Sequence, residues 1–230
     1  MRDVTVIIPV KDEEDGLEYL LSDYTSSSLN SGSLDIGFIF VIDCRTSDNS
    51  REIAEKFSES MIDQEETHGK AAAIKQALVE WRKNKSRLVV FLDADGSYSF
   101  DSVESVIGEL ENGFDVVSGS RFLNSSSGPS GMSRLHIFGN KLLSYVSSIR
   151  NRRRISDMRT GLWGFQANSI DSIEIKSTGF DLEAELTGNI RKLKLKHREI
   201  PVSWSQRKGG SSKLRSLTDG FIILLRILST

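Results

Sequence analysis

The 230-residue chain holds a single cysteine, Cys44. A lone thiol builds neither a disulfide framework nor a thiolate metal cluster, so Cys44 reads as a small residue near a strand end. Apolar runs of about 20 residues are missing, which leaves no candidate for a membrane-spanning helix. Val4 to Val10 is too short for a secretory leader and no small-residue cleavage site follows it, so the expected location is cytoplasmic. Net charge is also scarce, at −2. The molecule as a whole therefore exerts no pull on nucleic acid, and any anion site must come from local clustering. The three histidines, His68, His136 and His197, show no metal-ligand spacing. An apolar fraction of 38% with 27% charged residues separates the chain from disordered sequences. No repeat or boundary divides it, and its length suits one α/β domain.

What is present alternates between two periods. Val4 to Pro9 is a short apolar run closed by proline, which predicts a strand buried on both faces. Leu17, Leu20, Leu21 and Tyr24 recur at helical spacing, and the Ser-rich stretch from Thr25 to Ser33 reads as a loop. Phe38 to Ile42 predicts a second strand. Ile53, Ala54 and Phe57 predict a helix after Ser47 and Asp48, which suit its N-cap. Ile74, Ala77, Leu78 and Trp81 mark a helix opened by Gly69-Lys70. Leu88 to Leu92 is the clearest strand. Val103, Val106, Ile107 and Leu110 predict a helix, with Asp101 and Glu104 as a capping box. Asp115 to Ser118 is a short strand. Strand and helix in alternation predict a mostly parallel sheet with helices on both faces, whose ligands bind at the carboxyl ends of the strands. Further on, Asn124 to Ser133 has loop chemistry, and Phe138, Leu142, Tyr145, Val146 and Ile149 predict a helix. Leu162 to Gln166 reads as a strand, Leu182 to Leu193 as a helix, and His197 to Val202 as a strand.

Asp93-Ala94-Asp95 follows the clearest strand. Strand side chains alternate, so the two carboxylates point the same way and would repel unless a cation lies between them. Hard oxygen ligands suit Mg²⁺ or Mn²⁺ holding a diphosphate. The same triplet also fits a plain turn through Gly96-Ser97, or an Asp-x-Asp phosphatase. The phosphatase needs a later acidic pair, whereas Asp157, Asp171, Asp181 and Asp219 stand alone. An EF-hand fails because its glycine would be misplaced. A P-loop fails because Gln64 stands where glycine is required upstream of Gly69-Lys70.

Several further motifs follow in order. They are Pro9-Val10-Lys11-Asp12-Glu13-Glu14, then Asp43-Cys44-Arg45-Thr46-Ser47-Asp48, Gly69-Lys70-Ala71-Ala72-Ala73 and Gly119-Ser120-Arg121. Later come Asp157-Met158-Arg159-Thr160-Gly161-Leu162, Gly179-Phe180-Asp181-Leu182-Glu183, Pro201-Val202, and Arg207 to Lys213. In this series the chain resembles family 2 glycosyltransferases of the GT-A fold, especially the polyprenyl (dolichyl) phosphate mannose or glucose synthases. Three positions depart from that pattern: Lys11 replaces an aromatic residue, Cys44 an aspartate and Ser97 a glutamine.

The resemblance implies a Rossmann-like mixed, mostly parallel sheet in a single domain. Residues 1–122 would form a nucleotide-sugar-binding half and residues 123–215 an acceptor-binding half. Residues 216–230 would be an apolar C-terminal helix, packed on the core or lying in a membrane interface. Pro9, Lys11, Glu13, Asp43, Lys70 and Ala94 would line the nucleotide-sugar site. Asp93 and Asp95 would hold Mg²⁺ or Mn²⁺, and Arg121, Arg207 and Lys213 would bind phosphates. Asp95, Arg121, Asp157 and Glu183 are the expected catalytic residues. The implied reaction is inverting transfer of a hexose from GDP-mannose or UDP-glucose to polyprenyl phosphate, peripherally on the cytoplasmic membrane face. A glycan or small hydroxyl acceptor, and a degenerate nucleotide-sugar-binding protein, are alternatives. The cluster Arg150 to Arg154 reads either as a solvated helix end or as a contact with anionic lipid.

Overall fold

The computed structural model describes residues 2–58, 60–64, 68–124, 129–210 and 218–230. Its first half alternates as the periodicity predicts: β1 (Val4–Val10), α1 (Glu14–Ser26), β2 (Ile36–Asp43), α3 (Ser50–Glu55), α4 (Lys70–Trp81), β4 (Leu88–Leu92), α5 (Phe100–Glu111) and β5 (Val116–Ser120). Three short elements lacked a sequence signal, the one-turn helix α2 (Ser28–Ser31), strand β3 (Ser60–Gln64) and helix α7 (Ala167–Ser172). The second half holds α6 (Arg134–Asn151), β6 (Leu162–Gln166), α7 (Ala167–Ser172), α8 (Leu182–Lys192), β7 (His197–Pro201) and α9 (Thr218–Ser229).

The strands form one sheet in the order β3-β2-β1-β4-β6-β5-β7. Only β6 runs antiparallel to its neighbours, β4 and β5. Alternate residues of each central strand enter two separate cores. Val6, Ile8, Phe38, Phe40, Ile42 and Val90 pack on one face, and Ile7, Ile39, Val41, Val89 and Phe91 on the other. Both faces are covered, which is why these strands read as continuous apolar runs. Each fully buried aliphatic side chain contributes roughly 1.5–3 kcal/mol to this arrangement.

Two expectations are corrected. The loop over 25–33 is instead the end of α1 followed by α2, pinned by buried Leu29. The capping box on α5 does not form. Phe100 is fully buried and starts the helix one residue earlier, and its N–H donates to Asp23 of α1 at 2.6 Å. Glu104 instead accepts from the Ser28 hydroxyl. A tertiary partner has displaced a local one.

Helix α6 forms where predicted, but its apolar stripe faces outward. Leu135, Phe138, Leu142, Tyr145 and Ile149 are exposed, whereas Asn140, Ser144, Ser147 and Asn151 are buried. The polar face is inside because it anchors the chain over 155–159. Ser144 Oγ accepts from Met158 N, Ser148 Oγ from Ile155 N, and Asn140 Oδ1 from Arg159 N. Helix α9 packs beside α6, burying Ile223 and Ile227 and exposing Phe221, Ile222, Leu225 and Leu228.

Candidate active site

The acidic turn closes β4 at the carboxyl edge of the sheet. Helix α1 begins directly against it: a Cβ on Gly16 would lie 2.7 Å from the Ala94 carbonyl oxygen, so only glycine permits this approach. Gly96 turns the chain away at φ +68°, in the left-handed region that favours glycine. The segment carrying Arg207 lies on the same turn, through Lys208 N to the Asp95 carbonyl and Ser205 N to that of Ser97. These contacts frame a cleft of about 710 Å³, a size that suits a small-molecule ligand.

Both carboxylates of the pair line the cleft, and each faces a cation. Asp93 Oδ1 is 2.7 Å from Lys70 Nζ, which is also 2.7 Å from Glu183. Burial works against the Lys70 charge, but Asp93 and Glu183 outweigh it and raise its pKa above the ordinary lysine value. Asp95 Oδ2 lies 3.3 Å from Arg207, whose guanidinium also grips Glu13 at 3.0 Å. The residues fit a divalent cation. They are hard oxygen donors on one turn, and a Cβ at Gly161 would sit 1.9 Å from Asp93 Oδ2, so glycine leaves room for that oxygen. The remaining ligands would be water and diphosphate oxygens, because among the described residues no third acid, histidine or cysteine joins this pair. The structure does gather Asp43, Cys44 and His68 elsewhere, which sequence spacing did not foresee.

Pro9, Lys11, Glu13 and Asp43 also line the cleft. Asp43 is buried and receives Arg45 at Nε (2.8 Å) and Nη2 (2.6 Å). Those hydrogen bonds outweigh burial and hold its pKa down at about 2. The β1–α1 and β2–α3 loops are tied together by Ser47 N to Asp12, Glu14 N to Asp48, and Glu13 N to Ser50.

Arg121 and Asp157 form a buried pair at 2.7 Å, and the Asp157 side chain is 0% exposed. Asp157 also accepts from Arg121 N and Asn140 Nδ2. Burial pushes the Asp157 pKa up, but the Arg121 charge and hydrogen bonds prevail and lower it. Asp157, expected to be catalytic, is buried against Arg121 and is not among the cleft-lining residues, whereas Arg121 and Glu183 line the cleft. Lys213 lies outside the described residues. Arg150 and Arg153 of the basic cluster serve structure, donating to the carbonyls of Leu228 and His197.

Several cleft residues carried no assigned role in the sequence: Arg45, Gln64, His136, Asn140, Arg159 and Trp204. Arg45 and Arg159 stand inside quoted motifs, so their positions were the available signal. Trp163 is core, stacked on Phe165 and His197.

Residues 5–173 match the family described as glycosyl transferase family 2. The chain is 27% identical over 227 residues to glycosyltransferase AglJ of Haloferax volcanii, covering 97% of this chain and 70% of that protein. It is 25% identical over 222 residues to a dolichyl-phosphate hexose transferase of the same organism, covering 96% and 90%. It is 26% identical over 227 residues to the dolichol-phosphate mannosyltransferase of Pyrococcus furiosus, covering 94% of this chain and 60% of that protein. The glucosyl-3-phosphoglycerate synthase of Mycobacterium tuberculosis, crystallised with Mn²⁺, UDP-glucose and glycerol 3-phosphate, shares the fold. Its TM-score is 0.71 at 16% identity, covering 99% of this chain and 78% of that one. The family match takes in β1 to β6 together with the acidic turn and the Arg121 and Asp157 segments, and on that basis the chain belongs to glycosyl transferase family 2 and is a glycosyltransferase of the GT-A fold.

Proposed function

We propose that this glycosyltransferase moves a hexose, with inversion, from a nucleotide-diphosphate sugar, GDP-mannose or UDP-glucose, to polyprenyl (dolichyl) phosphate. Residues 1–122 bind the donor and residues 123–215 the acceptor. Asp93 and Asp95 hold Mg²⁺ or Mn²⁺, which when bound neutralises the diphosphate leaving group.

The observation that carries this reading is the charge pairing in the cleft. Its five carboxylates, Glu13, Asp43, Asp93, Asp95 and Glu183, each face Arg207, Arg45 or Lys70. An alcohol acceptor has to give its proton to a general base. A phosphate acceptor is already anionic. Its oxygen bonds to the anomeric carbon as the bond from that carbon to the β-phosphate oxygen breaks, and the electron pair leaves on the diphosphate. No proton has to move. The demand is for cations beside two anions, which Lys70, Arg121 and Arg207 meet. The names of the dolichyl-phosphate relatives support the same acceptor. A second reading, transfer to a small hydroxyl acceptor, draws on the neighbour crystallised with glycerol 3-phosphate.

The reaction would take place peripherally on the cytoplasmic membrane face. No described helix is long and apolar enough to cross a membrane. The stripes of α6 and α9 offer exposed Phe138, Tyr145, Phe221 and Leu225, with Arg152 and Arg154 exposed nearby in sequence. The test is incubation with labelled nucleotide sugar, Mn²⁺ and polyprenyl phosphate, followed by organic extraction. Label should enter the lipid phase, and Asp95→Ala should abolish it. Label confined to water-soluble glycoside would replace this reading with the second.

A further inference from the structure

Arg159 differs from Lys70 and from the other arginines that line the cleft. Lys70, Arg45, Arg121 and Arg207 each grip a carboxylate. The Arg159 side chain lines the cleft, yet among the described residues its guanidinium donates no hydrogen bond and forms no ion pair. Its backbone is fixed at both ends, N–H to Asn140 Oδ1 at 3.1 Å and carbonyl to Arg121 Nη2 at 2.6 Å. The side chain is therefore presented by a rigid mount.

The environment makes that unpartnered charge costly. Burial, and then the positive charge of Arg121, lower the Arg159 pKa from the ordinary guanidinium value. Glu183, Asp157 and Asp219 act on it only through space, and none of them forms a hydrogen bond or ion pair with its guanidinium; Glu183 and Asp157 are held by Lys70 and Arg121. A partly desolvated guanidinium beside a second guanidinium is an empty anion position, and an incoming anion recovers the cost.

We propose that Arg159 forms an anion subsite separate from the diphosphate position and that it binds the phosphate monoester of the acceptor. This rests on the transferase reading above. Placement argues for the acceptor rather than the donor. The acidic turn, Lys70 and Arg207 lie together, and Pro9, Lys11 and Asp43 are the residues expected at the nucleoside. Arg159 shares its part of the chain with Asn140 and His136 of α6 and with Phe180, all cleft residues in the second half of the sequence. Arginine's planar fork meets two phosphate oxygens at once, which a lysine does not reproduce. The exposed stripe of α6 begins at Leu135, beside His136 at the cleft. That gives an apolar tail attached to the phosphate a surface to follow.

The test is calorimetric binding to wild type, Arg159→Ala and Arg159→Lys, with and without Mn²⁺ and UDP or GDP. The probes are farnesyl phosphate, farnesol and glycerol 3-phosphate. Arg159→Ala should weaken the phosphate probes about 10- to 100-fold, while the nucleotide-induced thermal shift stays at the wild-type value. Arg159→Lys should recover part of the loss. Preference for farnesyl phosphate over glycerol 3-phosphate assigns the phosphate to a lipid, and the reverse assigns it to a soluble acceptor. Either preference supports the subsite. Farnesol binding as tightly as farnesyl phosphate would overturn it. So would equal phosphate binding by wild type and Arg159→Ala, or a loss of nucleotide binding in place of phosphate binding. Phosphate binding in a protein that ignores both nucleotides would overturn the transferase reading and leave the subsite standing.

Discussion

Replacing Asp157 by asparagine separates a positioning role from a chemical one. The carboxylate has no exposed surface, and Arg121 beside it is 12% exposed, so solvent screens the pair little. It accepts Arg121 N, Nε and Nη2 together with Asn140 Nδ2. Asp157→Asn keeps the shape but strands the guanidinium. Breaking a buried pair costs about 3–5 kcal/mol, and the retained amide oxygen points to the lower end, about 3 kcal/mol. In a chain of this size that lowers Tm by about 6–12 °C. The pH dependence has a definite sign. The folded-state pKa of Asp157 is lowered, so its stabilisation is complete above the unfolded value near 4 and is lost as pH falls through the folded value. The gap between wild type and variant in thermal denaturation should therefore be constant near neutrality and narrow in acid. A variant melting within about 2 °C of wild type yet devoid of transfer would refute this account, since only direct participation in the chemistry would then remain.

Arg45→Ala should raise the Asp43 pKa from about 2 towards the usual carboxylate range, as followed by NMR titration. An unchanged value would show that burial and Lys11 alone set it. His197 is pushed down to about 3 by burial and the nearby Arg153 charge. Its imidazole should stay neutral from pH 8 to about 5 by NMR. Because its folded pKa lies below the unfolded value near 6.5, it removes stability as pH drops below that value. Phe138 and Leu225 are exposed. Changing both to serine should shift Tm by less than about 2 °C while reducing co-sedimentation with anionic phosphatidylglycerol vesicles. Unaltered sedimentation would remove the α6–α9 face from the membrane reading.

The departures from sequence expectation share a cause. The Asp101–Glu104 capping box lost to Asp23, which reaches Phe100 N from α1. Helix α6 was found by its apolar period, but the period could not say which side faces inward. The polar side does, because Ser144, Ser148 and Asn140 satisfy backbone groups over 155–159 that would otherwise be buried without partners. Strand β3 carries Asp63 and Gln64 and is half-buried at the sheet edge, so it shows no apolar run.

The sequence alone determined the alternating strands and helices, the sheet they form, and the acidic turn after Leu92. These follow from periodicity and from the local geometry of a strand ending in Asp93-Ala94-Asp95. It also singled out Arg121, Glu183 and Arg207, through motif order. The partners of those residues were decided only in three dimensions. Lys70 meets Asp93 and Glu183 across 113 positions between Lys70 and Glu183, and Arg207 meets Glu13 across 194. Charge pairing at such separations depends on which chain segments the sheet brings to one edge, and no local pattern encodes it. For that reason Asp157 could be read as a catalytic residue and Arg159 passed over. Their roles depend on which carboxylates are already paired and which guanidinium is left facing the cleft.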